Sequence, residues 1–127
     1  MEDAEVRIGQ VMGADGFADL VAAFYRRILG DDLLGPMYPE DDLIGAEDRL
    51  RGFLVYRFGI SDRYVRERGH PRLRMRHAPF SIGEAERDRW LSLMQQAMQE
   101  TEVPESIAGD LFAFFEHVAD FMRNRRE

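Results

Sequence analysis

Histidine is the residue type in this chain that is best suited to bind a metal ion. The 127 residues include three histidines, His70, His77 and His117, and no cysteine. The missing cysteines exclude thiolate zinc sites, iron–sulfur clusters, disulfides and thioether-attached cofactors. His77 follows Arg76 in an irregular stretch, where a neutral imidazole can give one nitrogen to a metal while a backbone carbonyl holds the other. An ordinary hydrogen-bonded histidine remains the alternative for His77.

The other two histidines and the serines indicate no common catalytic motif. His70 precedes Pro71, which favours an extended backbone, and we expect it to be structural or exposed. His117 lies off the apolar stripe of the last predicted helix, so we expect it to be solvated. No HExxH-like pairing is present, and no serine has a nucleophile-elbow context. The sequence therefore supports neither a protein-only zinc site nor a hydrolytic triad.

Three aromatic residues with a polar donor form the second candidate set. Tyr25, Tyr38 and Trp90 each combine an apolar ring with one hydroxyl or indole N–H, and such a donor needs an acceptor when it is buried. A single residue of this kind most often bonds a backbone carbonyl. Three of them at the ends of structural elements can instead converge on a polar ligand in an apolar cavity. The residues alone leave both interpretations open.

Arginine supplies all of the positive charge in this acidic chain. Seventeen arginines and no lysine face 24 acids, which gives a net charge of −7. This balance argues against a nucleic-acid partner, because such binding draws on many phosphate contacts. Six arginines and a single acid, Glu67, nevertheless lie within residues 63–77, a segment that we call the arginine strip. The strip could hold a small anionic ligand or form a solvated face.

Helical periodicity predicts four main helices that carry these residues. Apolar residues recur at three- and four-residue spacing over 16–29, after an N-cap at Asp15, and Tyr25 falls on the inward face. A connector bounded by two prolines then carries Tyr38. The second helix is expected to start near residues 41–42. Its apolar positions are Leu43, Ala46, Leu50, Phe53, Leu54 and Phe58.

The C-terminal half continues the helical pattern. A capping box is expected at Ser81 with Glu84, and it opens a helix that has Trp90 on its apolar stripe. The last helix follows Pro104. Its stripe is expected to lie in the core and consists of Ile107, Leu111, Phe114, Phe115, Val118, Phe121 and Met122.

Between the second and third helices, residues 59–79 predict a break. Two glycines and two prolines discourage a long helix there, and ordered loops of this length are usually functional. Residues 72–77 alternate arginine with leucine, methionine and histidine. We discount a strand because no pairing partner is visible, and we expect an extended or short helical segment that lines a pocket.

The chain is expected to form a single all-helical domain over residues 1–127. Its length suits one hydrophobic core, and no linker or internal repeat divides it. The first residues are acidic, unlike those of a secretory signal. No apolar run approaches the roughly 18 residues of a membrane span. We therefore expect a cytoplasmic protein with no membrane partner.

Several ordered blocks of the sequence resemble the truncated haemoglobins of the second group. The resemblance runs from about Phe17 to the C-terminus. The blocks are YPEDDL at 38–43, GAEDRL at 45–50, the pair at 53–54, GHPRLRMRHAPF at 69–80 and ERDRWL at 86–91. This resemblance implies an all-α truncated globin, a two-over-two helical sandwich that encloses haem b (iron protoporphyrin IX). An extended loop within residues 59–79 would precede the iron-binding histidine.

The resemblance also assigns roles to single residues. His77 matches the proximal iron ligand, and Tyr25, Tyr38 and Trp90 match the three distal donors that surround bound gas. Ala46 matches the position where many globins carry a distal histidine. The implied cofactor contacts are Arg49, Leu50, Phe53, Leu54, Met75, Arg76, Phe80 and Met94, with the two arginines near the haem propionates.

The implied function is the binding of O2 and other diatomic gases. Three polar donors predict slow O2 release, which suits O2, NO or peroxide redox chemistry better than bulk transport. NO dioxygenase and peroxidase are candidate activities, with NO, CO and peroxide as further ligands, an unidentified reductase as a partner, and a monomer or homodimer as the assembly. The alternative is a cofactor-free helical interaction domain that uses the arginine strip, residues 63–77.

Overall fold

The computed structural model describes residues 3–38, 42–70 and 81–124, which form helices joined by turns. No strand is present in these three ranges. The helices are α1 (Ala4–Leu29), a 3-10 helix (Gly35–Met37), α2 (Leu43–Arg57), α3 (Arg63–Arg68), α4 (Glu84–Glu100) and α5 (Glu105–Met122). The predicted four main helices are therefore confirmed, and α3 is an additional short helix inside the predicted break.

The first helix is longer than its apolar pattern predicts. It begins at Ala4, after Asp3 accepts a 2.8 Å hydrogen bond from the backbone N–H of Glu5. Gly13 interrupts it with φ 64° and ψ 178°, a conformation that essentially only glycine adopts. The chain is again helical after this break, so the predicted N-cap at Asp15 was wrong. The apolar pattern detected only the part of α1 that follows the interruption.

The apolar face of α1 forms the centre of the core. α1 packs against α2, α4 and α5, while α4 packs against α5 and α2 against α3. This arrangement confirms the expected all-helical, two-over-two fold. Burial of each large apolar side chain contributes roughly 1.5–3 kcal/mol to folding. The fully buried apolar residues of α1 are Ile8, Phe17, Leu20, Val21, Ala23, Phe24 and Ile28.

The start of α4 differs in detail from the prediction. Its N-cap is Gly83, whose backbone N–H donates to Glu86 Oε1 at 2.7 Å, so neither Ser81 nor Glu84 makes the predicted capping box. One residue earlier, Ile82 and Asn124 form two hydrogen bonds of 2.8 Å each. The beginning of α4 is thereby fixed to the segment that follows α5.

The apolar stripe of α5 is narrower than predicted. Ile107, Leu111 and Phe115 are buried. Phe121 is 54% exposed, which corrects its expected place in the core. Ala119 and Met122 are buried, so the core-facing side of α5 continues to its last residue, and Phe121 lies on the solvent-facing side. No helix among the described residues is long and apolar enough to cross a bilayer.

Ion pairs tie the ends of the helices together. Arg57 at the end of α2 bonds both carboxylate oxygens of Glu5 in α1, at 2.9 and 2.7 Å. At the opposite end of α1, Arg26 and Arg27 both bind Glu100 in α4. These pairs are largely solvent-exposed, so each contributes little to the stability of the fold. They set the register of helices that the apolar core holds together.

The close approach of α1 to the end of α2 can be tested at Gly9. The methyl group added in Gly9→Ala would lie 2.3 Å from the carbonyl oxygen of Phe58, and we expect a loss of about 1–3 kcal/mol in unfolding free energy. Gly109→Ala in α5 is the matched control, because nothing lies within 4 Å of its added methyl group. There we expect a gain of about 0.5–1 kcal/mol. Urea unfolding measures both, and an unchanged midpoint for Gly9→Ala would contradict the contact.

Candidate functional site

The three polar aromatic residues come together in the structure. Tyr25 lies in α1 and is 7% exposed, Tyr38 directly follows the 3-10 helix Gly35–Met37, and Trp90 lies in the first half of α4. The rings of Tyr25 and Tyr38 meet edge-on, with centroids 5.6 Å apart. Residues that are far apart in the sequence thus form one cluster, which we call the polar aromatic cluster.

The hydroxyl of Tyr38 is the centre of the polar aromatic cluster. Burial raises the pKa of Tyr38, and hydrogen bonds with the Trp90 indole and with Tyr25 counteract part of this rise. Burial also raises the pKa of Tyr25, and the neighbouring Tyr38 raises it further. Both phenols are therefore protonated at neutral pH, because the ordinary pKa of a tyrosine is already about 10.

The hydrogen-bonding capacity of Tyr38 indicates what the cluster can do. An indole N–H can only donate, so Trp90 donates to the Tyr38 oxygen. Tyr25 is a second hydrogen-bond partner of this hydroxyl. A hydroxyl has two lone pairs and one proton. In the contact between Tyr25 and Tyr38 one phenol donates to the other, so the proton of the accepting phenol can bind a further polar group.

Two phenylalanines hold Trp90 in place. Its ring contacts Phe24 of α1 at 5.1 Å and Phe115 of α5 at 5.6 Å, both in edge-type geometry. Phe24 also contacts Tyr25, at 5.2 Å. The helical periodicity predicted both phenylalanines as core residues, but it could not show that they pack on Trp90. The spacing within one helix contains no information about the partner on another helix.

The predicted apolar contacts lie in the same core as the polar aromatic cluster. Phe53 and Leu54 of α2 and Met94 of α4 are buried. Leu50 and Ala46 are partly buried and pack against this core, as do Tyr38 and Trp90. The described candidate residues therefore combine three neutral polar groups with an apolar surrounding.

Arg49 lies on α2 at the edge of this region. Its guanidinium binds Asp42 at 2.7 Å, and both side chains are partly exposed. The charges of Arg49 and Glu47 act on the Tyr25 hydroxyl in opposite directions. A cation is thus available near the polar aromatic cluster, and it is at present balanced by a neighbouring carboxylate.

Four of the predicted site residues, Met75, Arg76, His77 and Phe80, lie outside the described residues. Of the other histidines, His70 and His117 are both exposed, as expected. Within 3–38, 42–70 and 81–124, no group of three or more histidine, aspartate or glutamate side chains is arranged to hold a metal ion. The proposed metal ligand therefore remains a prediction from the sequence.

The described part of the arginine strip is balanced by acids. Arg63 binds Glu67 at 2.9 Å and Arg66 binds Asp62 at 2.7 Å, both within or beside α3. Arg68 lies 3.7 Å from Asp48 of α2. A surface cavity of about 310 Å³ is lined by this region and by none of the predicted site residues. The pairing reduces the positive potential that an acidic partner would recognise.

Comparisons with known proteins place the chain among the globins. Residues 8–124 match the family described as bacterial-like globin. The group 2 truncated haemoglobin of Bacillus subtilis is 36% identical over 118 residues, covering 93% of this chain and 89% of that protein.

Two solved structures are similar over nearly the whole fold. The haemoglobin of Chloroflexus aurantiacus is 42% identical with a TM-score of 0.88, over 93% of this chain and 98% of that chain. The truncated oxygen-avid haemoglobin of Bacillus subtilis is 35% identical with a TM-score of 0.87, over 92% of this chain and 98% of that chain.

The raised pKa of Tyr25 predicts a loss of stability at alkaline pH. Above about pH 10 a tyrosine of the unfolded chain loses its proton, whereas buried Tyr25 keeps it. The stabilising contribution is thus complete below about pH 10 and is lost as the pH rises toward the higher pKa of the folded state. In Tyr25→Phe, we expect the unfolding free energy to fall less steeply between about pH 9 and 11. Urea unfolding measures the slopes, and equal slopes would show that the hydroxyl is accessible.

Proposed function

The chain belongs to the bacterial-like globin family, within it to the group II truncated haemoglobins, and from this membership we propose that it binds haem b and retains diatomic gases, above all O2. The observation that carries the proposal is the convergence of Tyr25 and Trp90 on the hydroxyl of Tyr38 in an apolar surrounding. Hydrogen-bonding groups in an apolar surrounding suit a small, weakly polar ligand.

The described residues fit haem by the chemistry of their side chains. Leu50, Phe53, Leu54 and Met94 provide apolar contacts of the kind that a flat macrocycle requires. The donors of the polar aromatic cluster are neutral, so they can bind the polar end of a gas molecule without adding a charge to the core. Arg49 offers a guanidinium, the group best suited to pair with a propionate carboxylate.

The roles of the remaining residues follow from the family resemblance. His77 would supply the imidazole that ligates iron, and Arg76 would pair with a propionate. Met75 and Phe80 would complete the apolar contacts. Haem supplies, when bound, an iron atom that takes a diatomic gas at its open position.

The polar aromatic cluster would retain the gas. One phenol proton of the Tyr25–Tyr38 pair would donate to the gas, while the hydrogen bonds with Trp90 and Tyr25 hold the Tyr38 hydroxyl in position. A net contribution of about 1–1.5 kcal/mol from one hydrogen bond slows release by about tenfold. Slow release favours retention for redox chemistry with O2, NO or peroxide over bulk transport. The description of the Bacillus subtilis relative as oxygen-avid supports this direction.

The alternative of a cofactor-free interaction domain is not favoured. It relied on an unbalanced arginine strip, but Arg63, Arg66 and Arg68 each lie beside a carboxylate. The family match also covers residues 8–124 and thus nearly the whole chain.

Haem binding is tested by absorbance of the purified protein. The wild type is expected to show a Soret band, and His77→Ala is expected to lose stable haem ligation, because His77 supplies the iron ligand. His117→Ala is the matched control, since this histidine is exposed on α5 and should leave the spectrum unchanged. No Soret band in the wild type, even after haem addition, would overturn the proposal. A normal spectrum for His77→Ala would remove only the ligand assignment.

Gas retention is tested by the O2 dissociation rate of the haem-loaded protein. Tyr38→Phe removes the hydroxyl on which the hydrogen bonds of the polar aromatic cluster converge and should speed release about tenfold. Trp90→Phe removes the indole that holds the Tyr38 oxygen, and its effect should have the same direction. Tyr56→Phe is the control, because that ring stacks on Tyr64 at 6.3 Å, outside the polar aromatic cluster. Unchanged rates in both cluster variants, measured by stopped-flow, would refute the role of these donors.

A further inference from the structure

We propose that Asp31 is a positioning residue for the gas site, and that it aligns Tyr38 with Trp90 by binding the guanidinium of Arg89. This inference rests on the proposed function, since it concerns how the polar aromatic cluster is assembled. Asp31 and Arg89 lie 58 positions apart in the sequence, and neither belongs to the cluster. Together they connect the two segments of chain that carry Tyr38 and Trp90.

The carboxylate of Asp31 has two separate tasks. Its Oδ2 accepts the backbone N–H groups of Leu34 at 2.8 Å and Leu33 at 3.1 Å, which closes the turn after α1. Its Oδ1 accepts a 2.7 Å hydrogen bond from Arg89 Nη1. One carboxylate thus shapes its own turn with one oxygen and binds helix α4 with the other. The side chain is only 8% exposed, so water competes little for either oxygen.

Backbone hydrogen bonds extend this fixed turn to Tyr38. The N–H of Gly35 donates to the Asp31 carbonyl at 3.0 Å, and the N–H of Met37 donates to the Leu34 carbonyl at 3.0 Å. The N–H of Tyr38 itself donates to the Gly35 carbonyl at 3.1 Å. These hydrogen bonds connect Tyr38 to the turn at Asp31, so a displacement of the turn would move the phenol.

On the other side, Arg89 is the direct neighbour of Trp90 in α4. Because the two residues share one helix, the ion pair fixes the height and rotation of α4 at the residue next to the indole. Phe24 and Phe115 contact Trp90 in edge-type geometry but are apolar, so they resist sliding less than a directed hydrogen bond does. The ion pair therefore adds a directional constraint on α4 to the hydrogen bond that the indole makes with Tyr38.

The charge of Asp31 supports the same role. Burial raises the pKa of this carboxyl, but the Leu34 N–H and the Arg89 guanidinium outweigh the effect and leave the pKa lowered. Asp31 is therefore ionised at neutral pH. Arg89 also binds Asp32, at 2.8 Å, but that carboxylate is 90% exposed and closes no turn. Exposed ion pairs of this kind contribute little to stability. A substitution of Asp32 is therefore a matched control that removes a different carboxylate from the same arginine.

The experiment compares Asp31→Asn, Arg89→Ala and Asp32→Ala in the haem-loaded protein, with the carbon monoxide form used for the spectrum and the O2 form for the dissociation rate. Asparagine keeps an oxygen for the turn but loses the charge that binds Arg89. Trp90 is the only tryptophan of the chain, so its indole N–H gives a single cross-peak in a ¹H–¹⁵N spectrum. This peak and the O2 dissociation rate are the two measurements, and circular dichroism confirms that each variant is folded.

We expect Asp31→Asn and Arg89→Ala each to shift the indole peak and to speed O2 release about fivefold to tenfold. The double variant should release O2 no faster than the stronger single variant, because the two residues act through one contact. Asp32→Ala should change neither measurement. Where Asp31→Asn fails to fold, Arg89→Lys replaces it, and partial restoration relative to Arg89→Ala is expected.

The proposal is overturned if both measurements are unchanged in the folded Asp31 and Arg89 variants, or if Asp32→Ala changes them equally. A further outcome is that the Asp31 and Arg89 variants shift the indole peak, but neither they nor Tyr38→Phe change the O2 dissociation rate. It supports the positioning role of Asp31 and refutes the retention of gas by the polar aromatic cluster. The two proposals can therefore fail independently.

Discussion

The apolar face of α1 is the surface on which the other long helices assemble. Phe17, Leu20 and Phe24 lie on this face without solvent exposure, and α2, α4 and α5 all pack against α1. Each of these helices buries its own apolar stripe by covering part of the same face. A change on this face would therefore disturb three interfaces together, whereas a change on α5 alone would leave the contact of α1 with α2 intact.

The same helix brings a polar group into the core. Tyr25 follows directly after Phe24, so its hydroxyl is buried by the packing that holds the helices together. A buried hydroxyl without a partner would cost about 1–3 kcal/mol. The cost is avoided because Tyr25 and Trp90 both bond Tyr38, and among the described residues no buried side-chain polar atom lacks a partner. The polar aromatic cluster is thus held by the same packing that forms the core.

Periodicity predicted much of this fold, because the apolar spacing of each long helix is a local property of the sequence. It placed Tyr25 on the inward face of α1 and the N-terminus of α2 near Asp42. It missed α3, a helix of six residues that is too short to show a period. Periodicity also could not predict the pairing of Asp31 with Arg89, because contacts between distant segments depend on how the helices pack. Resemblance to a family, and not spacing, selected Tyr38 and Trp90 as partners.

The interruption at Gly13 divides α1 into two parts that have different structural roles. The part before it contributes Ile8 to the core and is attached through Glu5 to Arg57, but it carries none of the candidate site residues. The part after it carries Tyr25. Because the helical hydrogen-bond pattern does not run without a break through Gly13, fraying of the first turns need not propagate to the second part. Amide protons before Gly13 can thus exchange with solvent by local opening, while those around Tyr25 exchange only when the core itself opens.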